Sequence, residues 1–111
     1  FLDVTDEEFG QLGFERGSMV LVERDEQKRL LAQFEKTNRM PPLASGGSVA
    51  NSIIALSQLG GAGAFIGVVG DDRYGMHYAN EFSELQIDIG NPIIVDEQTG
   101  TCLAVITPDA E

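Results

Sequence analysis

From Val49 to Leu85 the chain runs through a helix-length apolar segment, a glycine pair, a continuous apolar run and a second amphipathic segment. That succession restricts the fold more than any other feature. Val49, Ala50, Ile53, Ile54, Ala55, Leu56 and Leu59 are apolar over much of a helical circumference, so this helix is expected to be buried on more than one side. Gly60-Gly61 ends it, as a left-handed cap would. Ala64-Phe65-Ile66-Gly67-Val68-Val69 is an uninterrupted run of strand length, the type found when helices cover both faces of a parallel sheet. Gly70-Asp71-Asp72 breaks the run. A helix from about Arg73 to Leu85 follows, with Tyr74, Tyr78, Phe82 and Leu85 on one stripe and Asp71 or Asp72 as N-cap. Strand, cap and helix in that order make a βα unit.

The flanking segments are shorter. Thr5 ahead of Asp6, Glu7 and Glu8 has the pattern of a capping box, and Gly13 closes a helix of barely two turns. Gly17 to Val22 is compact and apolar, too short for a helix, and predicts a strand. Between Asp25 and Lys36, Leu30, Leu31 and Phe34 share one face of an amphipathic surface helix. Met40-Pro41-Pro42 forbids helix and predicts an extended connector or edge strand. Near the end, Ile93-Ile94-Val95, a turn through Glu97 to Gly100, and Thr101 to Thr107 read as a hairpin. Its second strand has apolar residues on both sides, so both faces need cover.

Composition excludes several classes of partner. A chain of 111 residues is one domain or less. Seven Lys and Arg against 18 Asp and Glu give a net charge of −11, so nucleic acid and anionic membranes are not expected partners. From Met40 onward Arg73 is the only Lys or Arg, so the second part carries most of the negative charge. A single cysteine, Cys102, permits no internal disulfide and no zinc site built from several thiolates. It suits a reducing compartment, and the cytoplasm is the expected location. Residues 1 to 20 show neither a signal nor a transit peptide, and no apolar stretch is long enough to span a bilayer.

The stretch richest in chemistry is Gly46-Gly47-Ser48-Val49-Ala50-Asn51. Two glycines remove Cβ atoms where an extended segment turns into a helix, which lets a ligand approach the main chain. Ser48 can cap that helix, and the Asn51 amide can offer a donor and an acceptor to neighbouring hydroxyls, as on a sugar. A flexible loop, an ordinary cap and an incidental asparagine account for the same residues. Other candidates fall away. Gly61-Ala62-Gly63 with Gly67 lacks the dinucleotide spacing and precedes a strand, and neither Lys28 nor Lys36 follows a glycine loop. Asp71 and Asp72 suit a helix start better than a catalytic pair. His77 is the sole histidine, too few for a multi-histidine metal site, and Cys102 on an apolar strand is expected to be a small buried hydrophobe.

Taken together, Gly46-Gly47-Ser48-x-x-Asn51-Ser52, Leu59-Gly60-Gly61 and Gly67-x-x-Gly70-Asp71-Asp72-x-x-Gly75 resemble the N-terminal signature of the ribokinase, or PfkB, carbohydrate kinases. Glu97-Gln98-Thr99-Gly100-Thr101-Cys102 and Ile106-Thr107-x-Asp109 are most similar to the adenosine kinase branch, while Met19 stands where that branch tends to carry a polar glutamine. The resemblance implies an α/β fold: part of a ribokinase-like, doubly wound core (46–92), with a small β lid drawn from residues 1–45 and 93–111 and Gly46-Gly47 as hinge. It implies acceptor contacts at Gly46, Gly47, Ser48 and Asn51, with Met19, Leu21 and Cys102 near the base or its equivalent. It also implies ATP and Mg²⁺ as co-reactants of the whole kinase, a sugar or nucleoside as acceptor, and a homodimer through lid strands. The Gly-Ala-Gly-Asp and Asn-x-x-Glu segments that carry catalysis in this family are absent, so the chain is expected to be an N-terminal portion of a longer kinase. Alone it should be inactive, with no catalytic residue and no bound cofactor or metal. A non-catalytic sugar- or nucleoside-binding or dimerisation module is the alternative.

Overall fold

A computed structural model describes residues 1–37, 39, 42–90 and 92–109. In chain order its elements are β1 (Leu2–Asp3), α1 (Asp6–Leu12), α2 (Arg24–Glu35), α3 (Ser48–Gln58), β2 (Ala64–Phe65), β3 (Val69–Gly70), α4 (Arg73–Glu84), β4 (Asp88–Ile89), β5 (Ile93–Ile94) and β6 (Val105–Ile106). They fall into two units, one of Phe1–Pro42 with Cys102–Glu111 and the other of Leu43–Thr101. Among the described residues, no helix is long and apolar enough to cross a membrane.

In the first unit local chemistry sets the helices. The Thr5 hydroxyl accepts from the Glu8 N–H while the Glu8 carboxylate accepts from the Thr5 N–H, completing the capping box, and Gly13 closes α1 in the left-handed region. Leu30 and Phe34 of α2 are buried as the amphipathic pattern requires. Phe34 packs with Leu2 and Val4 into a small core that Phe9, Leu12, Leu103 and Val105 complete. β1 pairs in parallel with β6, Leu2 opposite Val105 and Asp3 opposite Ile106. Gly17 to Val22 forms no strand: Met19 and Leu21 are 95% and 97% exposed, with no ladder partner among the described residues. Met40 and Pro41 of the expected Met40-Pro41-Pro42 connector lie outside the described residues.

The second unit is built on α4 as a crossover. β2 pairs in parallel with β4, and β3 in parallel with β5, so α4 lies between the members of each pair in the chain. Parallel neighbours need such a crossover, which confirms the βα unit. Phe82 of α4 is fully buried with Ala50 and Ile87, and Phe65 meets its ring edge-on at 5.2 Å. The apolar run 64–69 divides into β2 and β3 because the two pieces serve different partner strands. α3 begins and ends near its expected limits, with Gly60 left-handed just beyond it. Its burial on more than one side is not observed: Ala50 is buried, but Val49 and Leu59 are exposed, since the core reaches only one face.

The expected hairpin does not form. Ile93 and Ile94 turn to β3, and Val105 and Ile106 turn to β1. The intervening loop bonds to the start of α4 rather than across a hairpin. Asp71 accepts from the Asp96 N–H at 3.1 Å. Asp72, the N-cap of α4, accepts from the Gly75 N–H at 2.8 Å, the Thr99 N–H at 3.0 Å and the Thr99 hydroxyl at 2.7 Å. The Thr99 hydroxyl in turn accepts from the Gly70 N–H at 3.0 Å. This clasp explains the glycines around it: a Cβ on Gly70 would stand 2.1 Å from the Glu97 carbonyl oxygen, and one on Gly75 2.2 Å from the Gly70 carbonyl oxygen.

Partial desolvation pushes the Asp72 carboxyl up, but the hydrogen bonds from Gly75, Thr99 and Tyr74 outweigh it and hold the group below the usual carboxylate range. Its stabilising effect is therefore complete above the unfolded pKa and is lost as pH falls through the lower, folded one. Asp72→Ala should cost about 1–2 kcal/mol near pH 7. The gap to wild type should narrow in acid, as read from urea unfolding at a series of pH values. Gly75→Ala, which forces a methyl against main chain, should cost about 1–3 kcal/mol in the same measurement.

Candidate functional site

Where the extended segment 42–47 becomes α3, the backbone passes through Gly47 at φ 107° and ψ 141°, a conformation closed to residues with a Cβ. Gly47 is itself the N-cap, and its carbonyl accepts from the Asn51 N–H at 2.8 Å. Ser48 is thus the first helical residue rather than the cap, which corrects the expectation for its hydroxyl. The reason is geometric: with the turn made at Gly47, the serine is already the first residue of the helix and no longer stands at the cap position. Among the described residues no side chain caps the helix, so those N–H groups are left to solvent or ligand.

Gly46, Gly47, Ser48 and Asn51 are all exposed. A Cβ placed on Gly46 would meet nothing within 4 Å, and one on Gly47 would meet only the Ala50 Cβ, at 4.0 Å. The corner is therefore open rather than plugged by neighbouring apolar groups. Ser48 and Asn51, three apart on the helix, lie on adjoining positions of one face. Among the described residues no side chain engages the Asn51 amide, and it keeps both its donor and its acceptor. Chemically, the corner offers two polar side chains and unpaired N–H groups beside a main chain that has no methyl to fend off a ligand.

The remaining candidates lie elsewhere. Met19, Leu21 and Cys102 belong to the first unit, while the corner belongs to the second. Cys102 is exposed, not the buried hydrophobe its apolar surroundings predict, because the residues before β6 form no strand that would turn it inward. Asp71 and Asp72 spend their oxygens on backbone N–H groups and Thr99, which agrees with their reading as helix-start residues. Among the described residues no group of three His, Cys, Asp or Glu side chains is placed to hold a metal ion.

Three residues escaped the sequence reading. Thr99 closes the clasp, and its only signal was its place in a Glu97-to-Gly100 turn that resembles a family motif. Glu81 and Ser45 are linked across 36 positions: the Ser45 N–H donates to Glu81 Oε2 at 3.0 Å. Nothing local in the sequence announces that bond.

The glycine doublet supplies a direct check on the corner. Gly47→Ala should destabilise the protein by about 1–3 kcal/mol in chemical denaturation, whereas Gly46→Ala should change it by less than about 0.5 kcal/mol.

Residues 18–111 match the family described as pfkB family carbohydrate kinase. Fructokinase-1 from Zea mays is 40% identical over 68 residues, covering 61% of this chain and 21% of the relative. A fructokinase from Salmonella typhimurium is 33% identical over 64 residues, 58% of this chain and 20% of the relative. The match thus spans about a fifth of each curated relative. In fold, the chain is similar to adenosine kinase from Sinorhizobium meliloti, with a TM-score of 0.74 and 23% identity over 97% of this chain and 33% of that one. Adenosine kinase from Schistosoma mansoni in complex with adenosine gives 0.68 and 17% over 96% and 32%. These likenesses establish a partial ribokinase-like α/β core.

Proposed function

Because the chain belongs to the pfkB family of carbohydrate kinases, we propose that it carries the acceptor side of an ATP-dependent kinase that phosphorylates a hydroxyl of a sugar or nucleoside. The observation that supports this reading is the open corner at the start of α3. There the Asn51 amide oxygen accepts from one hydroxyl of the acceptor and its N–H donates to the neighbouring one. The Ser48 hydroxyl and the unpaired helix N–H groups take the remaining oxygen, and the bare Gly46-Gly47 main chain admits the sugar ring to hydrogen-bond distance. The exposed Met19, Leu21 and Cys102 serve the less polar part of the acceptor. Fructose and adenosine, the acceptors in the relatives' names, both present neighbouring hydroxyls, and this constellation suits either.

Closing such a corner over the acceptor excludes water, which otherwise competes for the phosphoryl group. The glycine doublet is the pivot in this reading, with the segments flanking the core acting as a lid and pairing with a second copy of the protein. ATP and Mg²⁺ enter the reaction as co-reactants of the whole kinase. Arg73, the only Lys or Arg between residues 43 and 101, lies over the Tyr74 ring at 4.8 Å, and the surrounding charge is acidic. No step is assigned to ATP through this chain's residues; what they do is bind and orient the alcohol.

The intact protein, supplied with Mg²⁺ and ATP, should release ADP in response to fructose, adenosine or a related sugar, and the 111-residue chain alone should not. Asn51→Ala should raise the acceptor KM roughly tenfold or more with the ATP KM within about twofold, the loss of one or two hydrogen bonds. Acceptor binding by calorimetry without any turnover would instead identify a non-catalytic binding module. A panel that neither binds nor turns over would sink both.

A further inference from the structure

The chain ahead of the corner has an anchor that the acceptor reading does not use. Ser45 directly precedes Gly46-Gly47, and its N–H donates to Glu81 Oε2. Glu81 sits on α4 next to Phe82, the most deeply buried residue of the second unit, so the carboxylate is mounted on a part of the helix that cannot easily shift. One turn earlier, His77 Nε2 lies 3.4 Å from the same oxygen, out of line for a hydrogen bond. The Ser45 hydroxyl is also buried close to this carboxylate without a completed hydrogen bond, so the N–H makes the tie. The contact with Ser45, and more weakly the nearby His77, holds the Glu81 carboxyl below its usual range despite partial desolvation.

Two consecutive glycines have the largest backbone freedom of any pair, and Gly46 is exposed, with nothing among the described residues within 4 Å of where a Cβ would stand. Without an upstream anchor, the main chain at Gly47 would have to be ordered by the ligand at the moment of binding, which weakens binding. We propose that Glu81 is a positioning residue for the acceptor: by holding the Ser45 N–H it fixes the chain that leads into the glycine doublet before the acceptor arrives. The inference rests on the acceptor reading of the corner and adds to it a residue that does not touch the substrate.

In the intact protein, Glu81→Ala should raise the acceptor KM by roughly five- to twentyfold while the ATP KM stays within about twofold. Glu81→Gln, whose amide oxygen can still accept from Ser45, should stay within about threefold of wild type. Ser45→Ala, which keeps the N–H, should do likewise. Should the alanine variant fail to fold, Glu81→Asp withdraws the carboxylate by one methylene while keeping its charge, and should also raise the acceptor KM. An unchanged acceptor KM in whichever of these two variants folds, a glutamine variant as impaired as alanine, or an equal rise in both KM values would overturn the proposal. If wild type shows no acceptor-dependent turnover, the functional reading fails by itself. The tether is then read from hydrogen exchange at the Ser45 amide, which should be at least tenfold faster in Glu81→Ala than in wild type, and equal rates would refute it.

Discussion

The Asp72 carboxylate is the interaction on which the second unit depends. It caps α4 through the Gly75 N–H and in the same stroke holds the Thr99 N–H and hydroxyl, joining a helix start to a loop 27 positions away. A carboxylate at a helix N-terminus is stabilised by the unpaired N–H groups and the helix dipole. Here the same charge also orders a second backbone segment. The cost is steric: the chain must come so close at Gly70 and Gly75 that neither position has room for a Cβ. The two glycines of the Gly70-Asp71-Asp72-x-x-Gly75 motif are thus spatial consequences of one hydrogen-bonded knot.

With α4 held at its start, the rest of the helix acts as a rigid arm. Its middle carries Tyr78 and Phe82 into the aromatic group that Phe65 completes, with ring centroids 4.5 to 5.8 Å apart. The same helix carries the half-buried Glu81 to the Ser45 N–H. The clasp, the aromatic packing and the Ser45 tie therefore form a continuous path from Thr99 to the glycine corner, hydrogen bonds to a carboxylate at either end and apolar packing between. The first is a set of charge-assisted hydrogen bonds, the second apolar burial, and the third a single hydrogen bond to a carboxylate.

The glycine corner differs from the knot in kind. At Gly70 and Gly75 the protein itself fills the space a side chain would need; at Gly46 and Gly47 that space is empty. One glycine motif serves close packing of the chain on itself, the other leaves room for something else. Families of glycine-rich sequences do not distinguish these uses by composition, but the surroundings of each Cα do.

Much of this was legible in the residue order. The capping box at Thr5, an aspartate N-cap at Asp71 or Asp72, the left-handed closures at Gly13 and Gly60 and the extents of all four helices follow from contacts within one or two turns, and the structure selects Asp72 of the two. Which strand meets which was not legible. Ile93-Ile94 and Val105-Ile106 have equal strand character, and only the competing hydrogen bonds at Asp71 and Asp72 turn the loop between them away from a hairpin. The exposure of Cys102, the lack of a strand at Met19 to Leu21 and the Ser45–Glu81 bond are of the same kind. They depend on partners distant in the chain, and a partner's position in space is a property of the folded backbone rather than of any local run of residues.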